Sequence, residues 1–257
     1  MKKFILSLLL LFVICNFSFA EDNSLEKVKK DGFFILGLDD TFPPFGFKDE
    51  NGEIVGFDID LAKEVAKRLN VEVKFKPCEW DGIIFELRSK KIDLVWNGMS
   101  VSPEREKQVS FSEPYHKGGQ YIFSKKEVSI KKVAELEGKV VGVQLGSTGA
   151  NAVEKSSISP KLKELKKYGS TMEAIADLEA GRLDAVVMAL SIGGYYNSKK
   201  DSLTASDESL SNEDSGIAFR KEDNAFRDAV NKALEEMRTD GTFRNIEKKW
   251  FGDIIGK

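Results

Sequence analysis

Short apolar runs alternate with amphipathic segments through most of the chain. The run FFILGL (Phe33–Leu38) has no polar residue and is typical of a buried strand. The segment Asp58–Leu69 carries apolar residues at every fourth position from Leu61, with alanines beside them, which predicts a helix with one buried face. VEVKFKP and IDLVW predict further strands, so the pattern indicates an α/β domain with a largely parallel sheet.

The same rhythm starts again in the second half of the chain. GKVVGVQ (Gly138–Gln144) predicts a buried strand, and STME (Ser170–Glu173) predicts a helix that begins with a capping box. ELRSKKIDLV (Glu86–Val95) is paralleled by DLEAGRLDAV (Asp177–Val186), in which a small-residue turn precedes a basic residue, an apolar residue, an aspartate and a β run. This faint repeat fits two lobes built on one plan.

Two further segments complete the pattern. Asn197–Ser215 is the most polar stretch, and we predict a surface loop there with one strand at DSLTA. Asn224–Trp250 is predicted to be helical, with Gly241 just beyond the end of a first helix.

The first twenty residues predict an export signal. Lys2 and Lys3 precede the apolar run Phe4–Cys15, and Ser18 and Ala20 are the small residues expected before a cleavage site. Cleavage after Ala20 would remove 20 of the 257 residues and leave 237, which predicts a periplasmic protein. The alternative is a lipoprotein anchored through Cys15, although Ile14 stands where a small residue is usual.

Composition narrows the range of functions. After cleavage Cys78 is the only cysteine, so no internal disulfide is possible, and the formal charge changes from −3 to −5 because two lysines are lost. An acidic chain without a basic patch gives no reason to expect nucleic-acid binding. We expect a monomer that carries no cofactor.

Catalytic chemistry has few candidates. His116 is the only histidine, which excludes a histidine cluster for a metal, and the hinge-like PYHKGG context favours a surface or hinge role. GSTG at 146–149 lacks the spacing of a phosphate-binding loop. Asp39 and Asp40 are possible paired carboxylates, or one surface acid and one polar site residue.

Ligand-binding chemistry is better represented, because polar and aromatic residues follow the ends of several predicted strands. Ligands of α/β proteins bind at the carboxyl ends of the strands. The candidates are Phe42 and Phe45 in the stiff loop after the first strand, Trp80, Asn97, Gly98 and the segment 144–148. Aromatic rings, glycine-flanked backbone and one arginine are typical of a site that clamps a small molecule.

Arg105 has an unusual position in WNGMSVSPER. Ser102 and Pro103 predict the start of a helix, which places Arg105 in its first turn. A helix N-terminus disfavours a cation, because the free N–H groups there carry partial positive charge. An anion bound by both the arginine and these groups would explain the arrangement.

Together these motifs resemble the amino-acid-binding branch of the bacterial extracellular solute-binding proteins of family 3, which serve ABC importers. The resemblance covers about residues 28–252. It rests on motifs in the family's order and spacing, which are GFDIDLAKEVAKRL, WDGIIFEL, IDLVWNGMSVSPERE, VSFSEPY, GKVVGVQLGSTG and MRTDGTFRNIEKKWFG. It implies a type II periplasmic-binding-protein fold with two α/β lobes, residues 22–118 plus 216–257 and residues 119–215, joined by two crossover strands around a ligand.

The resemblance also implies roles for individual residues. Arg105 would pair with the ligand α-carboxylate, as a planar guanidinium suits a carboxylate. Ser100 would add hydrogen bonds to the ligand, and the Gly98 carbonyl would accept from its ammonium. Phe42 and Trp80 would flank the side chain.

Four polar positions complete the implied site. Asp39 would contact the amine or the side-chain tip, and Asn97 would help to make the pocket polar. Gln144 and the Ser147–Thr148 turn would reach the carboxylate from the second lobe, where a helix N-terminus favours an anion.

One position departs from the family pattern. Ala189 stands where an aspartate usually binds the ligand ammonium. Either Asp39 and backbone carbonyls hold the ammonium instead, or the ligand lacks an ordinary α-ammonium.

We therefore expect a non-enzymatic protein that binds a polar or basic amino acid and delivers it to an ABC transporter permease. The alternative is an exported cyclohexadienyl (arogenate or prephenate) dehydratase on the same scaffold.

Overall fold

A computed structural model describes residues 22–252 of the protein. The predicted signal peptide and the alternative lipid attachment at Cys15 lie outside the described residues. Within the described range, no helix combines the length and the apolar character needed to cross a membrane.

The described part of the chain contains thirteen strands and nine α-helices. In chain order the strands are β1 (Phe33–Leu38), β2 (Thr41–Phe42), β3 (Gly46–Lys48), β4 (Ile54–Val55), β5 (Glu72–Pro77), β6 (Leu94–Val95), β7 (Ser110–Phe111), β8 (His116–Lys125), β9 (Val140–Gln144), β10 (Glu164–Tyr168), β11 (Ala185–Ala189), β12 (Leu203–Ser215) and β13 (Ala218–Phe219). The helices are α1 (Ser24–Asp31), α2 (Phe57–Leu69), α3 (Ile83–Arg88), α4 (Pro103–Glu106), α5 (Thr148–Lys155), α6 (Thr171–Glu179), α7 (Leu190–Lys200), α8 (Asn224–Thr239) and α9 (Thr242–Phe251).

One sheet has the strand order β5-β1-β6-β13-β7. β1 is parallel to β5 and β6, with Phe33 opposite Glu72 and Leu36 opposite Leu94. β13 comes from the far end of the chain and is antiparallel to β6 and β7. This sheet therefore combines two separated stretches of the sequence.

A second sheet has the order β10-β9-β11-β8-β12. β9 is parallel to β10 and β11, whereas β8 is antiparallel to both β11 and β12. The capping box predicted at Ser170 is present, because its side chain accepts from the backbone N–H of Glu173 and the Glu173 side chain accepts in return.

β8 and β12 connect the two sheets. His116 at the start of β8 lies opposite Ser215 at the end of β12. Ser215 also bridges to Ser100 in the first half of the molecule. The α/β class and the two-lobed arrangement are thus confirmed. The lobe boundaries near residues 118 and 215 stay a prediction.

The helical face predicted for α2 is buried as its period requires. Leu61 and Val65 are fully buried, and Leu69 packs against the same core. The second half has its own apolar cluster around Ile122, Val141 and Val187. A larger cluster joins buried residues of both halves, among them Phe34 and Val186, and no disulfide contributes within residues 22–252.

The prediction of a surface loop at Asn197–Ser215 is wrong, although the strand predicted within it at DSLTA is present from Leu203 onward. Helix α7 continues to Lys200, and Leu203–Ser215 is one strand of 13 residues. The strand forms despite its polarity because β12 lies at an edge of the sheet and pairs through its backbone with β8. Strand side chains alternate between faces, so many of its polar groups reach solvent.

Asp58 in the first turn of α2 is completely buried and holds the end of β6 in place. Its Oδ2 accepts from the Gly98 N–H at 2.7 Å and from the Tyr115 hydroxyl at 2.8 Å. Burial raises the pKa of Asp58 to about 8, against the opposing effect of these two hydrogen bonds. The carboxyl group thus connects α2, the Gly98 turn and the chain entering β8.

Replacing Asp58 with Ala should lower the free energy of unfolding by about 2–3 kcal/mol, because two buried donors lose their acceptor. Asp58→Asn keeps an acceptor oxygen and should lose less. Chemical denaturation at pH 7 measures both variants.

The pH dependence provides a second check on Asp58. A buried acid with a raised pKa takes up a proton on folding, so its contribution is complete below pH 4 and is lost as the pH rises towards 8. The wild type should therefore lose stability relative to Asp58→Asn between pH 5 and 8. Parallel curves would show that Asp58 is charged in the folded protein.

Candidate ligand-binding site

A cleft lies between the two sheets and contains about 570 Å³ of empty space, its open mouth included. The structure brings eight of the ten predicted residues to its wall, namely Phe42, Trp80, Gly98, Ser100, Arg105, Gln144, Ser147 and Thr148. Residues from both halves of the chain therefore share one cavity.

Arg105 is the main charge on the first side of the cleft. Ser102 caps α4 by accepting from the Arg105 N–H, and the guanidinium donates to the Ser100 carbonyl at 2.8 Å and to the Gly146 carbonyl at 3.2 Å. The guanidinium carbon lies 5.5 Å from the centre of the Trp80 ring. These contacts fix the direction of the charge.

Arg105 makes no close ion pair within residues 22–252, although the charges of Glu213 and Glu104 act on it from a longer distance. The residue is only 8% exposed, and no carboxylate of residues 22–252 lies within ion-pair distance of it. Burial lowers the pKa of Arg105 to about 10, so the guanidinium stays protonated at neutral pH. A buried cation without a counter-ion is costly, which suits a site that receives an anion from outside.

The N-terminus of α5 faces the same space from the second sheet. Ser147 caps this helix by accepting from the Ala150 N–H at 3.0 Å, and Thr148 is its first residue. The Thr148 hydroxyl lies 3.3 Å from the Ser100 hydroxyl. Free N–H groups at this helix end add to the preference for an anion.

Aromatic rings form another wall. Phe42 and Trp80 have ring centroids 6.1 Å apart and planes inclined by only 9°. Gly98 lies close to the Phe45 ring in a left-handed conformation with φ +62°. A Cβ atom added at this position would lie only 3.1 Å from the nearest ring carbon of Phe45. Any larger residue at position 98 would strain the backbone and press on this wall.

Two predicted site residues do not line this cleft. Asn97 is fully buried behind it, and its Oδ1 accepts from the Asp39 N–H at 2.9 Å. The Asp39 carboxylate accepts from the N–H and the hydroxyl of Thr41 and, at 2.7 Å, from the Gln144 amide. Asp39 faces a neighbouring crevice, and Asn97 positions its backbone.

The cleft also contains polar residues that the sequence did not single out for binding. They lie on or beside the two connecting strands and in α6, and are His116, Gln120, Thr171, Glu213 and Ser215. Because a surface loop was predicted at residues 197–215, Glu213 and Ser215 were not among the predicted site residues. Residues 206–215 contain one apolar residue, Leu210, so no alternation of polar and apolar positions indicated a strand there.

Glu213 is the acidic residue of the cleft wall. Its Oε2 accepts from the Thr148 hydroxyl at 2.7 Å and from the Gln120 amide at 3.2 Å. Its Oε1 accepts from the Ser211 hydroxyl at 2.8 Å. Ala189 lies on the same wall and contributes only a methyl group.

The family of the chain follows from comparison with known sequences. The model of bacterial extracellular solute-binding proteins, family 3, matches residues 34–253. The chain belongs to this family. The resemblance drawn from the motifs is thereby confirmed.

Named relatives of this solute-binding protein cover nearly the whole chain. The L-cystine-binding protein TcyJ of Escherichia coli (strain K12) is 37% identical over 93% of this chain and 90% of its own. The histidine-binding periplasmic protein of Salmonella typhimurium is 34% identical over the full length of both. Among solved structures, an ancestral arginine-binding protein bound to arginine is 48% identical, with a TM-score of 0.82 over 86% of this chain and 99% of that one. None of the three is named as an enzyme.

Among residues 22–252 of this solute-binding protein, no group of histidine, cysteine and acidic side chains is arranged to hold a metal ion.

His116 forms part of the cleft wall through an aromatic cluster. Its ring stacks on Phe251 with centroids 5.2 Å apart and meets the edge of Phe45 at the same distance. Burial lowers the pKa of His116 to about 4, so the imidazole is neutral at pH 7. His116 is the first residue of β8 and its side chain lines the cleft, while the predicted hinge role stays a prediction.

Replacing His116 with Phe should make the ligand-free protein more resistant to acid. The unfolded histidine takes up a proton near pH 6.5 and the folded one near pH 4, so its contribution is complete above pH 6.5 and is lost as the pH falls. The wild type should lose about 2 kcal/mol more than the variant between pH 7 and pH 4.5.

Urea denaturation over this range measures the difference, and equal losses would mean that His116 is protonated in the folded state. Comparison above pH 7, where the two curves should run parallel, is the control.

Proposed function

We propose that this protein is the extracytoplasmic binding component of an ABC importer and that its ligand is an amino acid with a polar or basic side chain. The observation that carries the proposal is Arg105, a buried guanidinium without a carboxylate partner at the edge of an interlobe cleft. The cystine, histidine and arginine named for the relatives support an amino-acid ligand.

The carboxylate end of the ligand is assigned to the Arg105 side of the cleft. Arg105 supplies a planar fork of donors, and the α5 N-terminus at Ser147 and Thr148 supplies further N–H groups. The Ser100 hydroxyl lies beside them. A carboxylate bound here would neutralise the guanidinium and bring the two lobes together.

The side-chain end is assigned to the region of Phe42 and Trp80. Trp80 lines both the main cleft and the neighbouring crevice, which contains four acidic residues, Asp39, Asp40, Glu79 and Glu173. A cationic or polar side chain passing the rings would meet these carboxylates, and a cation gains further from the aromatic faces. Aliphatic side chains fit this environment less well.

The proposed location and partner follow from the same function. An exported binding protein delivers its ligand to a membrane permease, which agrees with the signal-like N-terminus and with the extracellular family. Cleavage near Ala20 would give a free periplasmic protein, whereas lipid attachment at Cys15 would tether it. We propose that the protein acts as a monomer.

Differential scanning fluorimetry with the common amino acids and cystine tests the proposal. A ligand at 100 times its dissociation constant should stabilise the protein by about 2.7 kcal/mol, or roughly 5–10 °C in melting temperature. Arginine, histidine, glutamine and cystine should produce the largest shifts. No shift with any amino acid would contradict the proposed function.

Arg105 variants test the carboxylate end. Arg105→Met should reduce affinity for every amino acid by at least about 100-fold, because the ligand carboxylate would be buried without a cation. Arg105→Lys should lose less but remain impaired, since an ammonium lacks the guanidinium's paired geometry. Titration calorimetry measures both.

The ligand-free Arg105→Met protein should melt at or above the wild-type temperature, because an unpaired buried charge has been removed. Equal affinity of wild type and Arg105→Met would exclude Arg105 from the site.

A further inference from the structure

The proposed function leaves the ligand ammonium without an acceptor at the usual place. Ala189 lies on the cleft wall with only a methyl group. Asp39 is an unsuitable substitute, because its carboxylate lines the neighbouring crevice and is not part of the cleft wall. An ammonium buried without an acceptor would cost several kcal/mol.

We propose that Glu213, on the connecting strand β12, binds the α-ammonium of the ligand in place of the missing aspartate. The assignment rests on the proposed amino-acid function and deepens it. It makes Glu213 a specificity-determining residue that separates α-amino acids from other carboxylates.

The position of Glu213 suits this role. Glu213 pairs in register with Gly118 of β8, which has no side chain to fill the space in front of it. Ser215 lies two residues further along the same face of β12 and donates to the Gly98 carbonyl at 3.4 Å. The Glu213 carboxylate and the Gly98 carbonyl therefore border the same part of the cleft as two acceptors.

The charge of Glu213 is also available. Three neutral donors, from Thr148, Gln120 and Ser211, hold the carboxylate in place. Within residues 22–252 no lysine or arginine lies within ion-pair distance of it. A carboxylate offers about four acceptor positions, so one remains for an ammonium hydrogen.

Glu213 adjoins the carboxylate-binding side of the cleft through Thr148. Thr148 separates Glu213 from the carboxylate-binding side, since its hydroxyl lies 2.7 Å from Glu213 Oε2 and 3.3 Å from the Ser100 hydroxyl. Arg105 in turn donates to the Ser100 carbonyl at 2.8 Å. An α-carboxylate and α-ammonium would thus neutralise the Arg105 and Glu213 charges in one event.

Titration calorimetry with matched ligand pairs tests the assignment. The pairs are L-arginine and 5-guanidinopentanoic acid, L-histidine and 3-(imidazol-4-yl)propanoic acid, and L-glutamine and 4-carbamoylbutanoic acid, in which each second member lacks only the α-amino group. Wild type should bind at least one amino acid about 100-fold more tightly than its partner. Glu213→Gln should abolish most of this preference while changing affinity for the des-amino compound less than about threefold.

Three further variants separate the proposed role from others. Glu208→Gln, on the same strand outside the cleft, should behave as wild type. Asp39→Asn should keep the preference for the amino compound even if both affinities fall. Ala189→Asp added to Glu213→Gln should restore the preference by returning a carboxylate to the same wall.

Each result decides between the alternatives. A wild type that binds no amino acid overturns the proposed function and the Glu213 assignment together. Amino-acid binding with an undiminished preference in Glu213→Gln overturns the assignment alone. So does an equal loss for both members of a pair, since Glu213 would then act only by supporting Thr148.

Discussion

The guanidinium of Arg105 is buried between two lobes and is held by the carbonyls of Ser100 and Gly146, with no carboxylate of residues 22–252 in ion-pair contact. Its surroundings are arranged around this charge. The Ser102 cap starts the short helix that carries it, Trp80 covers one side, and the α5 N-terminus faces it from the second lobe. Folding gives this charge no close ion pair within residues 22–252, so the Arg105 side of the cleft favours an anionic group.

The strands that join the lobes also belong to the cleft. β8 supplies His116 and Gln120, while β12 supplies Glu213 and Ser215. Their pairing fixes these side chains relative to one another, because the register from Ser211 to Ser215 against Gln120 to His116 is continuous. A ligand contact made by a connecting strand acts at the place where the lobes would move against each other.

Polar contacts hold the lobes together around the cleft. They include Asp39 with Gln144 at 2.7 Å, Arg105 with Gly146 at 3.2 Å and the exposed pair Lys155 and Glu104 at 2.8 Å. Such bonds contribute about 0.5–1.5 kcal/mol each, and exposed ion pairs contribute less. A ligand that contacts both lobes can therefore decide how far the molecule stays closed, since it shifts the equilibrium by its differential affinity for the closed state.

The sequence by itself determined several of the elements and the family. The pattern of apolar residues predicted the strand at Phe33–Leu38 and the buried face of α2. The residue types at the helix starts predicted the N-caps at Ser102 and Ser170. These features depend on residues that are close together in the sequence, so they can be predicted without the tertiary structure. Motif order identified the family, and eight of the ten candidate residues share the cleft.

The tertiary structure decided where the remaining polar groups lie. Asn97 and Asp39 adjoin strand ends as predicted, but neither lines the cleft. Asn97 accepts from the Asp39 N–H, 58 residues away in the sequence, and Asp39 accepts from the Gln144 amide, 105 residues away. Glu213 lies in a stretch without hydrophobic alternation, and it becomes a strand only because β8 offers a backbone to pair with. Backbone pairing between distant segments carries no side-chain pattern, which is why this carboxylate could not be located from the sequence.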